Sequence, residues 1–324
     1  MRDNVEDDYD VIVIGGGSAG LNGALMLARS RRSTLVIDAG APRNAPAPGV
    51  HGLLARDGMS PFELLAIGRD EVRRYGGQVI DGEVTGAVHQ DGSFAVSLTD
   101  GRRIRARRLL VTTGLVDVLP DVPGLAEHWG HDVVHCPYCH GWEVRDTAIG
   151  VLASSARAIH QALLFRQLSD DVIFFAHDSE LTNEQAAELA ARDILVVRGV
   201  VAAVETVDSR VSGVRLADGT VINRQTLAVQ CTMTARTDFL AGLGLEPVEH
   251  PMGVGTYLPV DATGQSSVPG VWVAGNATDL MAQVGAAAAA GAMAGAVINA
   301  DLVAEDLRIA VAARHDQLLI DAKS

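Results

Sequence analysis

Two cysteines three positions apart are the residues of this sequence best suited to redox chemistry. Cys136 and Cys139 form a Cys-x-x-Cys pair within residues 135–142, His-Cys-Pro-Tyr-Cys-His-Gly-Trp. This spacing permits a reversible disulfide, in which a thiolate is the reacting species. His135 and His140 stand directly beside the two sulfurs, and an imidazole, with a reference pKa of about 6.5, takes a thiol proton at neutral pH. We therefore predict a redox-active disulfide whose catalytic residues are Cys136, Cys139, His140 and His135.

The cysteine pair has a second interpretation as half of a zinc site. Such a site needs further ligands, and only Cys231 and scattered histidines are available for it. We predict no metal site and expect Cys231, which ends an apolar run, to be an inert buried thiol. His128 and His131 are expected in a surface connection. Trp142 keeps two interpretations, contact with the redox site and filling of the core.

A glycine-rich turn close to the N-terminus indicates a nucleotide site. The apolar run at residues 10–14 predicts a buried parallel strand, Gly-Gly-Gly-Ser-Ala-Gly follows at 15–20, and residues 21–29 predict a helix. A second strand is predicted at 34–37, and Asp38 follows it directly. A glycine motif between a strand and a helix, with an acidic residue after the second strand, is the dinucleotide-binding fingerprint.

Each residue of this fingerprint has a physical role. Gly15 permits the tight turn, Gly17 lets the backbone approach a pyrophosphate, and Gly20 allows close packing of helix on strand. The helix N-terminus offers N–H groups to the phosphates, and Asp38 accepts hydrogen bonds from a ribose. The alternative is a glycine turn without a ligand. The predicted cofactor-binding residues of this segment are Gly15, Gly17, Ser18, Ala19, Gly20, Asp38 and Ala39.

Length, charge and composition limit the class of protein. The chain has 324 residues and a formal net charge of −14, so it is long enough for two domains, and we expect neither nucleic acid nor a membrane as a partner. Residues 284–300 are uncharged but consist mainly of Ala and Gly, which predicts a buried, closely packed helix and not a membrane span. We expect no signal peptide, and three cysteines then favour the cytoplasm and a catalytic disulfide.

Two later strand-and-turn segments resemble further FAD contacts of flavoproteins with two dinucleotide domains. Residues 108–114 run from a strand into a glycine turn, and residues 271–276 do the same before the Ala/Gly helix. A loop rich in Pro, Ala and Gly at 43–51 follows Asp38, where loops of FAD domains reach towards the flavin ring. An ordinary turn or a solvated loop is the alternative for each segment. The residues predicted to contact FAD here are Arg43, Asn44, His51, Thr113, Gly114, Gly275, Asn276, Gln283 and Val284.

Taken in order, these motifs resemble the low-molecular-weight thioredoxin reductase family over nearly the whole chain. No cysteine precedes Cys136, and the pair lies just before the first strand of the central region, as in that family. The resemblance implies an α/β fold with two Rossmann-like, three-layer ββα dinucleotide-binding domains, the second inserted in the first. It places the FAD-binding domain at 1–117 and 245–324 and the central redox domain at 118–244. It also implies FAD as cofactor, a homodimer, and Cys139 as the sulfur nearer the flavin.

The central region departs from the family at its nicotinamide site. Its strands and helices alternate as in a second βαβ unit, but Ala153 and Ser155 replace the two leading glycines of the expected motif. Side chains at these positions crowd the approach of a pyrophosphate. Where the family has a basic segment for the 2′-phosphate of NADPH, this chain has Asp178 and Glu180, which repel a phosphate. NADPH is therefore a doubtful cofactor, although Asp178 has the chemistry to hold the ribose of NADH.

A further departure lies beside the redox cysteines. Thioredoxin reductases carry Asp directly after the second cysteine, and this chain carries His140. The Cys-x-x-Cys-His motif resembles the dithiol oxidases of gliotoxin and holomycin biosynthesis. This resemblance implies oxidation of a small-molecule or protein dithiol to a disulfide through FAD, with oxygen as the acceptor. Two alternatives stay open: a thioredoxin-disulfide reductase that uses NAD(P)H or another donor, and a non-catalytic flavoprotein redox sensor.

Overall fold

Strands and helices alternate along most of the chain. The structure is a computed structural model that describes residues 8–321. Its strands are β1 (Asp8–Ile14), β2 (Thr34–Asp38), β3 (Gln78–Asp81), β4 (Val84–Gln90), β5 (Ser93–Leu98), β6 (Arg103–Val111), β7 (Leu115–Val118), β8 (Val133–Val134), β9 (Ile149–Leu152), β10 (Val172–Phe175), β11 (Leu195–Val197), β12 (Val201–Val207), β13 (Arg210–Leu216), β14 (Val221–Asn223), β15 (Thr226–Val229), β16 (Thr232–Ala235), β17 (Val248–Glu249), β18 (Gly255–Tyr257) and β19 (Val271–Val273). Its α-helices are α1 (Ser18–Arg29), α2 (Pro61–Arg74), α3 (Pro137–His140), α4 (Ala158–Phe165), α5 (Asn183–Ala190) and α6 (Val284–Asp321), and short 3₁₀ helices span Ala126–His128, Asp238–Leu243 and Gly275–Ala277.

The chain divides into two compact units. The first contains Met1–Arg43, Phe62–Val116 and Thr234–Ser324, and the second contains Asn44–Pro61 and Asp117–Met233. The chain passes from one unit to the other within β7 and again within β16. Two segments therefore group differently from the domains predicted as 1–117 with 245–324 and 118–244: residues 44–61 join the second unit, and residues 234–244 join the first. The assignment of these domains to FAD and to redox chemistry stays a prediction.

The first unit contains a seven-stranded sheet with one helical face. Strands β3, β2, β1 and β6 lie in this order and run parallel, β19 also pairs with β6 in parallel, and β4 and β5 extend the sheet as an antiparallel hairpin. The predicted strand, helix and strand at the N-terminus are confirmed as β1, α1 and β2. The helix starts at Ser18 and not at residue 21, because the N–H of Leu21 already donates to the carbonyl of Gly17.

Helix α6 packs its small residues against α1. A Cβ added at Gly295 would lie 2.6 Å from the carbonyl oxygen of Gly23, so the two backbones approach more closely than larger residues permit. Ala294 and Ile298 are buried in the same core. Among residues 8–321 one helical stretch, Val284–Leu318, is long and apolar enough to cross a membrane by length and composition alone. The predicted close packing is confirmed for one face of its first half. The opposite face, which includes Ala289, Met293 and Ala296, is exposed, so the prediction of a buried helix is right only in part.

The second unit repeats the same architecture. Strands β11, β10, β9, β15 and β8 form a parallel sheet in this order, and β12, β13 and β14 form a three-stranded antiparallel sheet. One apolar cluster lies with α4 and α5, and another lies with β12 and β13. The second βαβ unit predicted from the sequence is therefore present, and both units have the three-layer, Rossmann-like form.

Candidate active site

The redox cysteines lie on a single helical turn that follows β8. Cys136 precedes α3, Pro137 begins the helix, and the N–H of His140 donates to the carbonyl of Cys136 at 3.1 Å. A disulfide joins Cys136 and Cys139, whose Cα atoms are 5.2 Å apart. Gly141 ends the helix where no larger residue fits, since a Cβ there would lie 2.2 Å from the carbonyl oxygen of Pro137. The local sequence thus fixes the two sulfurs next to each other.

His140 has the environment of a neutral base. Both ring nitrogens are buried, and neither has a hydrogen-bond partner among the described residues. Burial lowers the pKa of His140 below its ordinary value of 6.5, although the Glu143 carboxylate opposes this effect, and the neighbouring His51, His131 and His135 lower the pKa further. The imidazole is therefore uncharged at neutral pH and has a lone pair available for a proton.

His135 belongs to a second polar cluster, which includes the third cysteine. Its Nδ1 lies 3.1 Å from the carbonyl oxygen of Val229, and because a carbonyl only accepts, we assign the proton to Nδ1. The thiol of Cys231 lies 3.8 Å from the same nitrogen and donates to the carboxylate of Asp117 at 3.1 Å. Cys231 is buried, as predicted. Its contact with Asp117 was not predicted, because these residues are 114 positions apart.

Two aromatic residues of the redox segment face solvent. Tyr138 is 70% exposed and Trp142 is 66% exposed. The guanidinium of Arg145 covers the Trp142 ring at 4.1 Å from its centroid and also donates to the Trp142 carbonyl at 2.7 Å. Of the two interpretations of Trp142, core filling is therefore wrong. Both side chains thus stand exposed within the segment that carries the disulfide.

A cavity of about 780 Å³ lies in the second unit and includes His140 in its wall. Imidazoles and carboxylates from separate segments line it, among them His51, Glu127, His128, His131 and Glu143. Nε2 of His51 lies 3.4 Å from the Glu143 carboxylate, and its Nδ1 lies 3.5 Å from Asp57. His128 is only 12% exposed at its side chain, so its prediction as a surface residue is wrong. The cavity is thus polar and rich in groups that exchange protons.

Asp132 also lines this cavity, but its carboxylate is already engaged. Arg210 donates to both of its oxygens, at 2.7 and 2.8 Å, and the N–H of Val211 donates at 3.0 Å. Burial raises the pKa of Asp132, and these hydrogen bonds more than compensate, so the net pKa is lowered and the carboxylate is charged at neutral pH. The ion pair between Asp132 and Arg210 therefore links the loop before β8 to strand β13.

The glycine-rich turn of the first unit fits a dinucleotide pyrophosphate. Gly15 has a φ of +105°, and a Cβ there would lie 2.5 Å from the carbonyl oxygen of Thr112. Within the described residues no atom lies within 4 Å of a Cβ placed at Gly17, so space is open where a pyrophosphate must approach. Helix α1 begins at Ser18 without a side-chain cap, which leaves its first N–H groups for phosphate oxygens. The hydroxyl of Thr112, which the sequence did not single out, donates to the carbonyls of this turn.

The carboxylate of Asp38, which the sequence predicts to bind a ribose, is held in place by three contacts. Its Oδ1 accepts from the N–H groups of Gly16 and Gly40 at 3.2 and 3.3 Å, and its Oδ2 pairs with Arg69. Arg69 lies on α2 and is a candidate site residue that sequence reasoning missed, because no local motif links it to the end of β2. Ala39 follows Asp38 and is exposed.

Some of the later predicted FAD contacts lie near the glycine-rich turn at residues 15–20. Gly275 has a φ of +73°, and a Cβ there would lie 2.9 Å from the Cβ of Ala19, so the turn after β19 meets the start of α1. Thr113 donates to the carbonyl of Arg236 at 2.7 Å, and Gly114 accepts from the N–H of Arg236. The amide nitrogen of Asn276 donates to carbonyls of the following turn, including Asp279 and Ala282 at 2.9 Å, which leaves its oxygen for a ligand. Gln283 and Val284 stand at the start of α6.

The predicted contacts of the 43–51 loop fall in two units. Arg43 ends the first segment of the first unit, whereas Asn44 and His51 belong to the second. His51 lies beside the cavity that also contains His140. The contacts of these residues with FAD stay predictions.

In the second unit, the turn that follows β9 is hydrogen-bonded to neighbouring segments. Ser154 donates to the carbonyl of Gln230 at 2.9 Å and accepts from its N–H at 3.1 Å. Ser179, from the segment after β10, donates to the carbonyl of Ala153 at 3.3 Å. Helix α4 begins only at Ala158. The turn after β9 is thus bonded to the segments that follow β15 and β10, and its helix begins later after the strand than α1 does after β1.

Comparison with known proteins agrees with this geometry. The family model described as pyridine nucleotide-disulphide oxidoreductase matches residues 9–293. The thioredoxin reductase tcpT of Claviceps purpurea is 33% identical over 91% of this chain and 95% of its own length. The crystal structure of HlmI has a TM-score of 0.90 at 44% identity, over 97% of this chain and 98% of HlmI. An oxidoreductase from Agrobacterium tumefaciens has a TM-score of 0.85 at 37% identity, over 91% of this chain and 99% of that protein.

Proposed function

The chain belongs to the pyridine nucleotide-disulphide oxidoreductase family as a thioredoxin-reductase-like, FAD-dependent disulfide oxidoreductase, and on this premise we propose that it is a dithiol oxidase. It converts a dithiol and oxygen into a disulfide and hydrogen peroxide, with Cys136 and Cys139 as the redox pair. Two electrons and two protons leave the dithiol, and the same number enter the peroxide.

The observation that carries this proposal is the state of His140. Oxidation of a dithiol requires a group that removes a thiol proton at neutral pH, because only the thiolate attacks a disulfide. His140 directly follows Cys139, its ring nitrogens are buried without partners among residues 8–321, and its pKa is lowered by burial. A carboxylic acid at this position would instead suit proton donation during disulfide reduction.

The chain's own residues account for the thiol chemistry. His140 takes a proton from the substrate, and the resulting thiolate attacks Cys136 of the disulfide to form a mixed disulfide. The second substrate thiolate displaces the sulfur of Cys136, so the substrate leaves oxidised and both cysteines are reduced. The turn at Gly15–Gly20 and the Asp38 carboxylate would hold FAD, which would supply the acceptor for the electron pair and the reactivity towards oxygen. Cys139 is the sulfur assigned to that transfer.

The second nucleotide fold supports an oxidase over an ordinary NADPH reductase. Side chains stand at Ala153 and Ser155, and the turn between them is hydrogen-bonded to Gln230. Asp178, after β10, adds negative charge where a 2′-phosphate would bind. Electrons therefore enter from the dithiol in our proposal.

A reductase is the second candidate, and one observation favours it. The curated relative tcpT is named a thioredoxin reductase. Electron flow would then run from a nicotinamide or another donor, through FAD, to the Cys136–Cys139 disulfide and on to a disulfide substrate.

Anaerobic flavin reduction distinguishes the two functions. The purified holoenzyme is mixed separately with NADPH, NADH and dithiothreitol, and the visible flavin spectrum is followed. Bleaching by the dithiol but not by either nicotinamide, with recovery and stoichiometric peroxide when air is admitted, supports the oxidase. Rapid bleaching by a nicotinamide overturns it in favour of the reductase. Slow reduction of the flavin by every donor would instead indicate a non-catalytic redox sensor.

A further inference from the structure

His140 must pass its proton to another acceptor if it is to act as a base in every turnover. Its ring nitrogens are buried and have no partner among the described residues. A proton taken from a substrate thiol therefore stays on a desolvated ring, which burial disfavours. A cavity of about 780 Å³ includes His140 in its wall. This volume holds many water molecules, each of which needs polar partners.

Two residues of this cavity are arranged to receive that proton. Glu143 follows His140 by three positions in the same turn, and its carboxylate acts electrostatically on the His140 ring. His51 lies 3.4 Å from that carboxylate through Nε2. The side chains of Glu143 and His51 are 33% and 21% exposed, so the pair reaches solvent. His140, Glu143 and His51 all line the same cavity.

The other titratable groups around His140 are less suited to this task. The carboxylate of Asp132 is occupied by Arg210 and by the N–H of Val211. His128 lies 4.0 Å from Asp132. His131 and His135 act on His140 only as charges that oppose its protonation.

Glu127 is the remaining carboxylate of the cavity wall, and no described contact joins it to His140, His51 or Glu143. It therefore serves as a matched control, because its replacement removes the same charge from the same cavity.

We propose that Glu143 and His51 form a proton relay that carries the thiol proton from His140 through the cavity to water. This inference rests on the dithiol oxidation proposed above. The protons released by the dithiol reach solvent by this route and balance those consumed when oxygen is reduced to peroxide. Glu143 and His51 act through His140 and touch no substrate atom, so they are positioning residues.

The variants Glu143→Gln, His51→Gln and Glu127→Gln test the relay. Flavin reduction by dithiothreitol is measured anaerobically by rapid mixing from pH 5 to pH 9. Glu143→Gln is expected to lower the plateau rate about tenfold and to move the acid limb to lower pH, because the carboxylate that favours protonated His140 is gone. His51→Gln is expected to lower the plateau similarly but to move the limb to higher pH, because His51 opposes the protonation of His140. Glu127→Gln should stay within about twofold of wild type.

The opposite shifts of the two limbs are a signature that general loosening of the fold does not produce. The titration of His140, followed by NMR in the same variants without substrate, should show the same two directions. If wild type is active and Glu143→Gln and His51→Gln reduce the flavin as fast as Glu127→Gln does, the relay is wrong while the proposed function stands. A wild-type flavin that no dithiol reduces overturns the proposed function and the relay with it. If Glu143→Gln does not fold, His51→Gln decides by the same criteria.

Discussion

Gly291 of α6 lies directly against Ala19 of α1. A Cβ at position 291 would stand 1.9 Å from the carbonyl oxygen of Ala19, a distance that real structures do not tolerate. Ala19 belongs to the first turn of the helix whose N-terminus faces the predicted pyrophosphate. The packing of α6 therefore determines where the N–H groups of the nucleotide turn are held.

The substitution Gly291→Ala should weaken both the fold and FAD binding. The added methyl group must push α1 and α6 apart, and overpacking of this kind costs about 1–3 kcal/mol. Urea unfolding should show this loss, and the purified variant should contain less flavin than wild type. Ala290→Ser, at an exposed position of the same helix, is the control and should leave both quantities unchanged. Equal stability of Gly291→Ala and wild type would contradict the packing argument.

Asp38 should contribute to FAD affinity through the charge that Arg69 and two backbone N–H groups hold in place. Asp38→Asn keeps the shape but loses the charged hydrogen bonds, so the Kd for FAD should rise about tenfold, equivalent to about 1.4 kcal/mol. Fluorescence titration of the apoprotein measures this change. Asp70→Asn removes an exposed carboxylate from the neighbouring position of α2 and should leave the Kd unaltered. A Kd for Asp38→Asn within twofold of wild type would rule out this role.

Cys139→Ser should abolish flavin reduction by a dithiol, because no disulfide is left to receive the substrate thiolate. Stopped-flow absorbance at the flavin maximum, without oxygen, measures the effect. Cys231→Ser is the matched control, since Cys231 lies outside the Cys136–Cys139 disulfide, and it should retain reduction even if it is less stable. Normal turnover of Cys139→Ser would show that the electrons take another route.

His140→Gln should slow flavin reduction about 100-fold at pH 7, the lower end of the usual range for a general base. The base must be neutral, so the wild-type rate should fall as the pH drops through the pKa of His140, which burial holds below 6.5. This acid limb should be missing from the pH profile of His140→Gln. The control His131→Gln removes an exposed imidazole of the same cavity. It should keep the rate at pH 7 within about twofold and retain the acid limb, moved to higher pH because His131 opposes protonation of His140. An unchanged limb in His140→Gln would assign the base to another residue.

The N-terminal fingerprint was predictable because its signals are local. The apolar run, the glycines and Asp38 all fall within one strand–helix–strand unit, where the chain's own periodicity dictates the structure. The first residue of α1 was predicted three positions late, since the hydrogen bond from Leu21 to Gly17 depends on the geometry of the turn and not on apolar spacing. Arg69 was missed because its contact with Asp38 joins residues 31 positions apart.

The cavity lined by His140 is the part of the site that the sequence did not reveal. Residues 44–61 have the composition of a loop, and composition does not state where a loop packs. In the structure this segment brings His51 to Glu143, which lies in the turn after α3. No sequence pattern links a histidine in a Pro-rich loop to a glutamate after a cysteine motif. Their possible chemical role becomes visible only when the fold brings the two side chains together.

The sequence by itself determined the redox pair, its neighbouring histidines, the dinucleotide turn and the two-fold repetition of an α/β architecture. These features follow from residue types at fixed short spacings, which act through local geometry. Only the tertiary structure decided that the ring nitrogens of His140 are buried without hydrogen-bond partners among residues 8–321, that Trp142 is exposed and that Cys231 donates to Asp117. Burial and long-range contacts arise when distant segments pack together, and that packing sets the protonation state on which the proposed chemistry depends.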